Sequence, residues 1–261
     1  MKTLFTAAAT IAVLAALTPA RAADLPLPEK MPPPSPATNW SGFYIGLEGG
    51  GVWGHTDYTG FNTIGGAPFG PSYAGSFDAK TSYLGGFQAG FNWEFATHIV
   101  IGIEADIDFS HLQASPSICS LGGCATTASD LWGFGTLRGR IGYDFNNVLI
   151  YGTGGAAWAN INTNSTITTG PLAGTFAGEA LALQGWTAGG GLEWLFLPNW
   201  TVKAEYLFMR FQHVDETYNY ALVGPGVPFT ANITTNSNIN TFRIGVNYLF
   251  PVAPSAFVAR Y

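Results

Sequence analysis

Three carboxylates, Glu104, Asp106 and Asp108, stand at alternate positions in one short segment. A spacing of two places them on one face of an extended strand, where they could bind a metal or work as an acid–base pair. Arg138 and Arg140 share that spacing, and Lys203 and Arg243 add two more cations farther along. Glu48, Asp144, Glu193 and Glu205 fall on comparable polar positions. Buried charges need partners. The reading these eleven residues favour is therefore a self-neutralising interior lining, with no metal. Cys119 and Cys124 are separated by Ser-Leu-Gly-Gly; in an oxidising compartment they are expected to form a local disulfide, and two cysteines are too few for structural zinc. His55, His111 and His213 stand just past three apolar segments. They read as surface residues, with the sharper alternative that they converge on a haem iron or a divalent cation. No Gly-x-Ser-x-Gly or His-Glu-x-x-His is present, and Ser110-His111 would point to opposite faces of a strand. No catalytic residue is assigned, and the protein is expected not to be an enzyme.

The elements that must position these residues show a period of two. Ile99, Ile101, Ile103, Ala105, Ile107 and Phe109 alternate with Glu104, Asp106, Asp108 and Ser110. Phe242, Ile244, Val246, Tyr248 and Phe250 alternate with Thr241, Arg243, Gly245 and Asn247. The same rhythm runs through 83–94, 137–144 and 201–208. Three glycine-rich segments, 42–53, 148–159 and 181–196, leave the phase open. That makes eight candidate strands, each long enough to cross an outer membrane. Short connections fall at 96–98, 146–147 and 197–199. Four long ones, about 54–79, 111–130, 160–180 and 213–236, are rich in Gly, Thr, Ser and Asn and read as loops. Short turns on the periplasmic side and long loops outside are the pattern of a membrane barrel. Phe43, Trp93, Tyr143, Trp194 and Phe250 cluster at the short-turn ends, and Trp53, Phe109, Trp132, Trp158 and Phe211 near the others, as two interfacial aromatic girdles would. The fold class expected is all-β: an eight-stranded antiparallel transmembrane β-barrel over residues 40–250.

Composition agrees. The chain has 261 residues, 47% hydrophobic and 15% aromatic but only 10% charged, with net charge −6. Too few charges are available for the wet face of a soluble sandwich, and the acidic balance excludes a nucleic-acid binder. Lys2, the apolar stretch 4–17 and Ala20-Arg21-Ala22 read as a secretory leader cut after residue 22. Residues 23–39 form a Pro-rich periplasmic lead. Pro251 to Tyr261 extend past the last strand.

Asn39-Trp40-Ser41-Gly42-Phe43-Tyr44-Ile45-Gly46, Tyr151-Gly152-Thr153-Gly154-Gly155 and Phe242-Arg243-Ile244-Gly245-Val246-Asn247-Tyr248-Leu249-Phe250 resemble segments of small alphaproteobacterial outer-membrane proteins of the surface-antigen, porin-family type. The resemblance covers essentially the whole expected mature chain. It implies an OmpA-like eight-stranded barrel and a role as a surface antigen or envelope-stabilising protein, with porin-like conduction or haem binding in some members. Such chains usually end on the aromatic residue of the closing strand; here either Phe250 or Tyr261 could fill that place. The function expected is a non-enzymatic structural and surface role in the envelope of a Gram-negative bacterium. The alternatives are a narrow channel and ligand capture at the mouth. The partners implied are outer-membrane lipid, lipopolysaccharide and the barrel assembly machinery.

Overall fold

The computed structural model describes residues 39–120, 123–224 and 227–251. The expected leader, nearly all of the Pro-rich lead and the tail beyond Pro251 lie outside the described residues. The strands are β1 (Gly42–Ile64), β2 (Ala67–Glu94), β3 (Ile99–Ala114), β4 (Ser117–Ser120), β5 (Gly123–Phe145), β6 (Val148–Ile167), β7 (Phe176–Leu197), β8 (Trp200–Phe211), β9 (Val214–Gly224) and β10 (Val227–Pro251). Their pairing runs β1-β2-β3-β5-β6-β7-β8-β10, and β10 pairs back onto β1. That closes an antiparallel ring of eight. β4 continues the line of β3 beyond Ser115-Pro116, and β9 that of β8 beyond Gln212-His213. Proline has no N–H for a ladder, which accounts for the first interruption.

One end is closed by tight turns, and three of them contain a non-glycine residue at positive φ: His98 (62°), Asn146 (65°) and Asn199 (68°). Asparagine and histidine enter the left-handed region more readily than most residues, so these turns are specified locally. The outward face just above them is apolar. Ile99, Ile101, Ile103, Ile107 and Phe109 on β3, and Phe242, Ile244, Val246 and Phe250 on β10, are all exposed on the barrel wall. Tyr44, Glu48 and Val52 fix the inward phase of β1, Leu149 and Tyr151 that of β6, and Thr187 and Glu193 that of β7.

The other end differs from the sequence expectation. The four segments read as long loops are mostly strand. β1 runs unbroken to Ile64, β2 starts at Ala67, and β9 and β10 carry a ladder from Val214 to Thr235. A strand of 23 residues at a 35–45° tilt rises roughly 55–60 Å, about twice the apolar band of an outer-membrane barrel. The polarity reverses along the way. Low on the wall the outward residues are apolar and the inward ones polar. In the extension Asp57, Thr59, Asp215, Thr217 and Asn219 face out, while Tyr218, Tyr220, Phe229, Ala231 and Ile233 pack inside. Beneath them Leu84, Leu112, Leu131, Phe134, Leu183, Met209 and Ile239 form a second apolar storey. Phe211, expected in the outer aromatic girdle, belongs to that interior at 3% exposure. It lies on the same side of β8 as Lys203 and Glu205, so strand parity turns it inward.

Candidate functional site

The charged residues expected to line the interior meet in one layer of the barrel. Strand pairing sets their heights. Glu104 on β3 is directly opposite Arg138 on β5, Arg243 on β10 opposite Glu205 on β8, and Glu193 on β7 opposite Lys203. Parity sends all of them inward, where they are at most 7% exposed. Arg138 donates to Glu104, to Asp106 at 2.8 Å and to Glu205 at 3.0 Å. Arg243 reaches Glu48 at 2.8 Å, Asp108 at 2.7 Å and Glu205 at 2.5 Å. Arg140 holds Glu193 at 3.0 Å and lies 3.5 Å from Glu104. Lys203 lies 3.2 Å from both Glu48 and Glu104 and donates to Gln88. Four cations thus sit among six carboxylates, and every cation has at least two. A buried ion left alone carries a penalty of several kcal/mol, and here each ion has at least one opposite charge in contact, with the carboxylates in excess by two.

Neutral groups complete the layer. Thr136 donates to Asp106 at 2.5 Å, Thr201 to Glu193 at 2.5 Å, and Asn247 to Glu193 at 2.7 Å. Tyr44 donates to Glu104 at 2.5 Å and Tyr151 to Glu205 at 2.9 Å. The Arg140 guanidinium lies 4.8 Å from the centre of the Tyr44 ring and 5.0 Å from that of Tyr151. Sequence reasoning did not give these two tyrosines a part in the network, although Tyr44 shares parity with Glu48 and could have been found by counting back from it. A Cβ on Gly90 would collide with the Tyr44 hydroxyl group, so glycine there makes room for the ring.

Glu48, Asp106 and Asp108 group closely enough to suggest a metal site. Arg243 Nη1 already occupies it, at 2.8, 3.4 and 2.7 Å from the three carboxylates. The metal or acid–base alternative for the Glu104 segment therefore gives way to ion pairing. Asp144 is a correction of another kind. It points inward and is 3% exposed, but its ion-pair partner is His98, 3.5 Å away at the short-turn rim. Two inward positions below Arg140, it lies apart from the charged layer.

Cys119 and Cys124 are directly paired across β4 and β5 and joined by a disulfide. It braces a hairpin rather than an irregular loop. The three histidines do not converge. His55 and His111 are strand residues with outward parity, and exposed His213 lies in the break between β8 and β9. His55 binds Asp78 at 2.7 Å, which holds its pKa above the ordinary histidine value, and His111 lies 3.8 Å from Asp130. The three share no group of ligand atoms within 4.8 Å. The loop reading placed them at a flexible mouth; continuous strands set His55 and His111 on the outer wall, and His213 stands in the β8–β9 break.

A closed eight-membered ring with an apolar outer band and a polar, paired interior is the architecture of a small membrane barrel. The model of the outer membrane protein beta-barrel domain matches residues 7–250. The chain belongs to this outer-membrane β-barrel family. It is 30% identical over 244 residues to the 31 kDa outer-membrane immunogenic protein of Brucella melitensis biotype 1, covering 89% of this chain and 94% of that one. It is 29% identical over 183 residues to the 22 kDa outer membrane protein of Rhizobium leguminosarum bv. viciae, covering 70% of each. Among solved structures it is similar to the outer membrane protein OprG of Pseudomonas aeruginosa, with TM-score 0.44 and 14% identity over 81% of this chain and 98% of that one. This barrel protein is accordingly an outer-membrane protein.

Proposed function

We propose that the protein is a non-enzymatic structural and surface component of the outer membrane. Its short turns face the periplasm, and its strand extensions stand outside the lipid. The observation that carries this reading is the length of the wall. Strands twice as long as a membrane crossing needs, with their polarity reversed beyond the apolar band, are built to hold a folded surface in water. The immunogenic character stated in the Brucella protein's name is in keeping with exposed extensions. The packed charge layer weighs against the channel alternative, because four cations and six carboxylates fill the cross-section with mutual contacts. The outward histidines take away the shared ligand set on which haem capture rested. On this reading the protein's partners are outer-membrane lipid, lipopolysaccharide and the barrel assembly machinery.

Labelling of intact cells with a membrane-impermeant maleimide tests the placement. Thr59→Cys, outward on the β1 extension, should label directly, and Thr97→Cys, in the β2–β3 turn, only after the outer membrane is opened. The reverse pattern would invert the orientation. A deletion strain with unaltered detergent resistance would contradict the structural role.

A further inference from the structure

We propose that Glu94, His98 and Asp144 form a divalent-cation site at the short-turn rim of the barrel, with donor chemistry suited to zinc. The rim brings them together from three places: the last residue of β2, the last residue of the β2–β3 turn, and the final inward position of β5. Each offers a ligand atom, and the three atoms lie within 4.8 Å of one another. Ligands held at 2.0–2.2 Å around a tetrahedral metal sit roughly 3.4 Å apart, so closing on a cation needs only small side-chain rotations.

The backbone here is already fixed. His98 N donates to Phe95 O at 3.0 Å, Phe95 N to Ile99 O at 2.9 Å, and Asp144 N to His98 O at 2.8 Å. The last of these ties the two ligand-bearing segments together directly. Asp144 supplies the independent sign of a missing partner. The residue is 3% exposed, yet among the described residues no hydrogen-bond donor reaches Oδ1, and its ion-pair contact is the His98 ring on the other oxygen. A buried carboxylate oxygen without a donor is costly, and a cation at that point satisfies it. Glu94 accepts from Trp40 N at 2.7 Å through Oε2; a carboxylate retains ligand capacity on its other oxygen.

One imidazole nitrogen and two carboxylates make a borderline-to-hard donor set, which suits zinc and similar divalent ions. His98 is exposed and Glu94 half-buried, so a cation can enter from solvent and keep water as a remaining ligand. The contrast with the interior is chemical. Glu48, Asp106 and Asp108 enclose a guanidinium. At the rim, among the described residues, no lysine or arginine pairs with Glu94 or Asp144. A bound ion would clamp β2 to β5 and, through Glu94, hold Trp40, which fills the barrel end beside Val100, Leu149 and Tyr151.

Calorimetric titration of Zn²⁺ into the chelator-stripped, detergent-folded full chain tests this. Co²⁺ absorption reports the ligand set. Saturable binding of one cation per chain is expected. His98→Asn removes the imidazole but tolerates the positive φ, and it should weaken binding about tenfold or more, as should Asp144→Asn. His55→Ala, on the outer wall, should leave the affinity unchanged. Absence of binding, affinity that survives His98→Asn, or loss in His55→Ala would each overturn the site. Asn at position 98 suits the turn, so the test stands even if the Asp144 variant fails to fold.

Discussion

Arg138 touches Glu104, Asp106 and Glu205 from a position without solvent. Removing it strands carboxylates that cannot be hydrated, and breaking a buried pair by removing one partner costs about 3–5 kcal/mol. Arg138→Ala should therefore lower the urea midpoint of the detergent-folded barrel far more than Ile103→Ala, which only trims a lipid-facing side chain. Equal losses from the two would mean the layer contributes little. Glu216 raises a different question. It lies inside the extension, 7% exposed, and accepts from Tyr218. Burial pushes its carboxyl up from the usual range, and nearby Glu179 adds to the shift. Protonation is thus easier in the folded form than in the unfolded one. Its contribution to stability is fully present below the unfolded pKa and is lost as pH rises through the folded one. Hydrogen exchange of β9 and β10 should show greater protection at pH 5 than at pH 8, and Glu216→Gln should remove that difference. At this scale the sequence was informative about direction and about which charges neutralise one another as a group, and silent about individual pairs. Two-residue spacing identified Glu104, Asp106, Asp108, Arg138 and Arg140 as one lining. The pairing of Arg243 with Glu48 and Glu205 depends on how far the strands stagger around the closed ring, which no local spacing encodes.

At the scale of elements, the alternation of β3, β8 and β10 was legible because lipid and interior demand opposite chemistry on the two faces. The extensions were misread because water replaces lipid beyond the apolar band. Thr230, Asn232 and Thr234 then face out and Phe229, Ala231 and Ile233 face in. The period of two survives while its polarity flips, and a search for outward apolar residues sees only polar loop. The same parity rule accounts for Phe211 and the outward histidines. Turns carry their own local specification. Asn199 at φ 68° joins β7 to β8, and a β-branched residue there pays roughly 1–2 kcal/mol for the left-handed conformation. Asn199→Val should reduce refolding yield and lower the urea midpoint, whereas Asn199→Gly should not. Matching behaviour of the two would show that the turn is not held in that conformation.

Over the whole molecule, the barrel is a stack of interior storeys. Trp40, Val100, Leu149 and Tyr151 fill the short-turn end, the ion-paired layer follows, and apolar storeys rise above it. A cavity of about 90 Å³ among Leu112, Leu131, Ile161, Leu183, Thr163 and Glu216 lies in the extended half. Eight strands enclose an interior just wide enough for side chains to fill. On the proposed reading the charged layer is filling that holds the wall together, and no ion path runs through it. Single-channel recording of the folded full chain in a planar bilayer tests that claim directly, with folding verified by heat-dependent gel mobility. The barrel should insert without discrete conductance steps. Discrete steps whose size changes in Glu104→Ala or Arg138→Ala would contradict it and make the interior charges the lining of a pore.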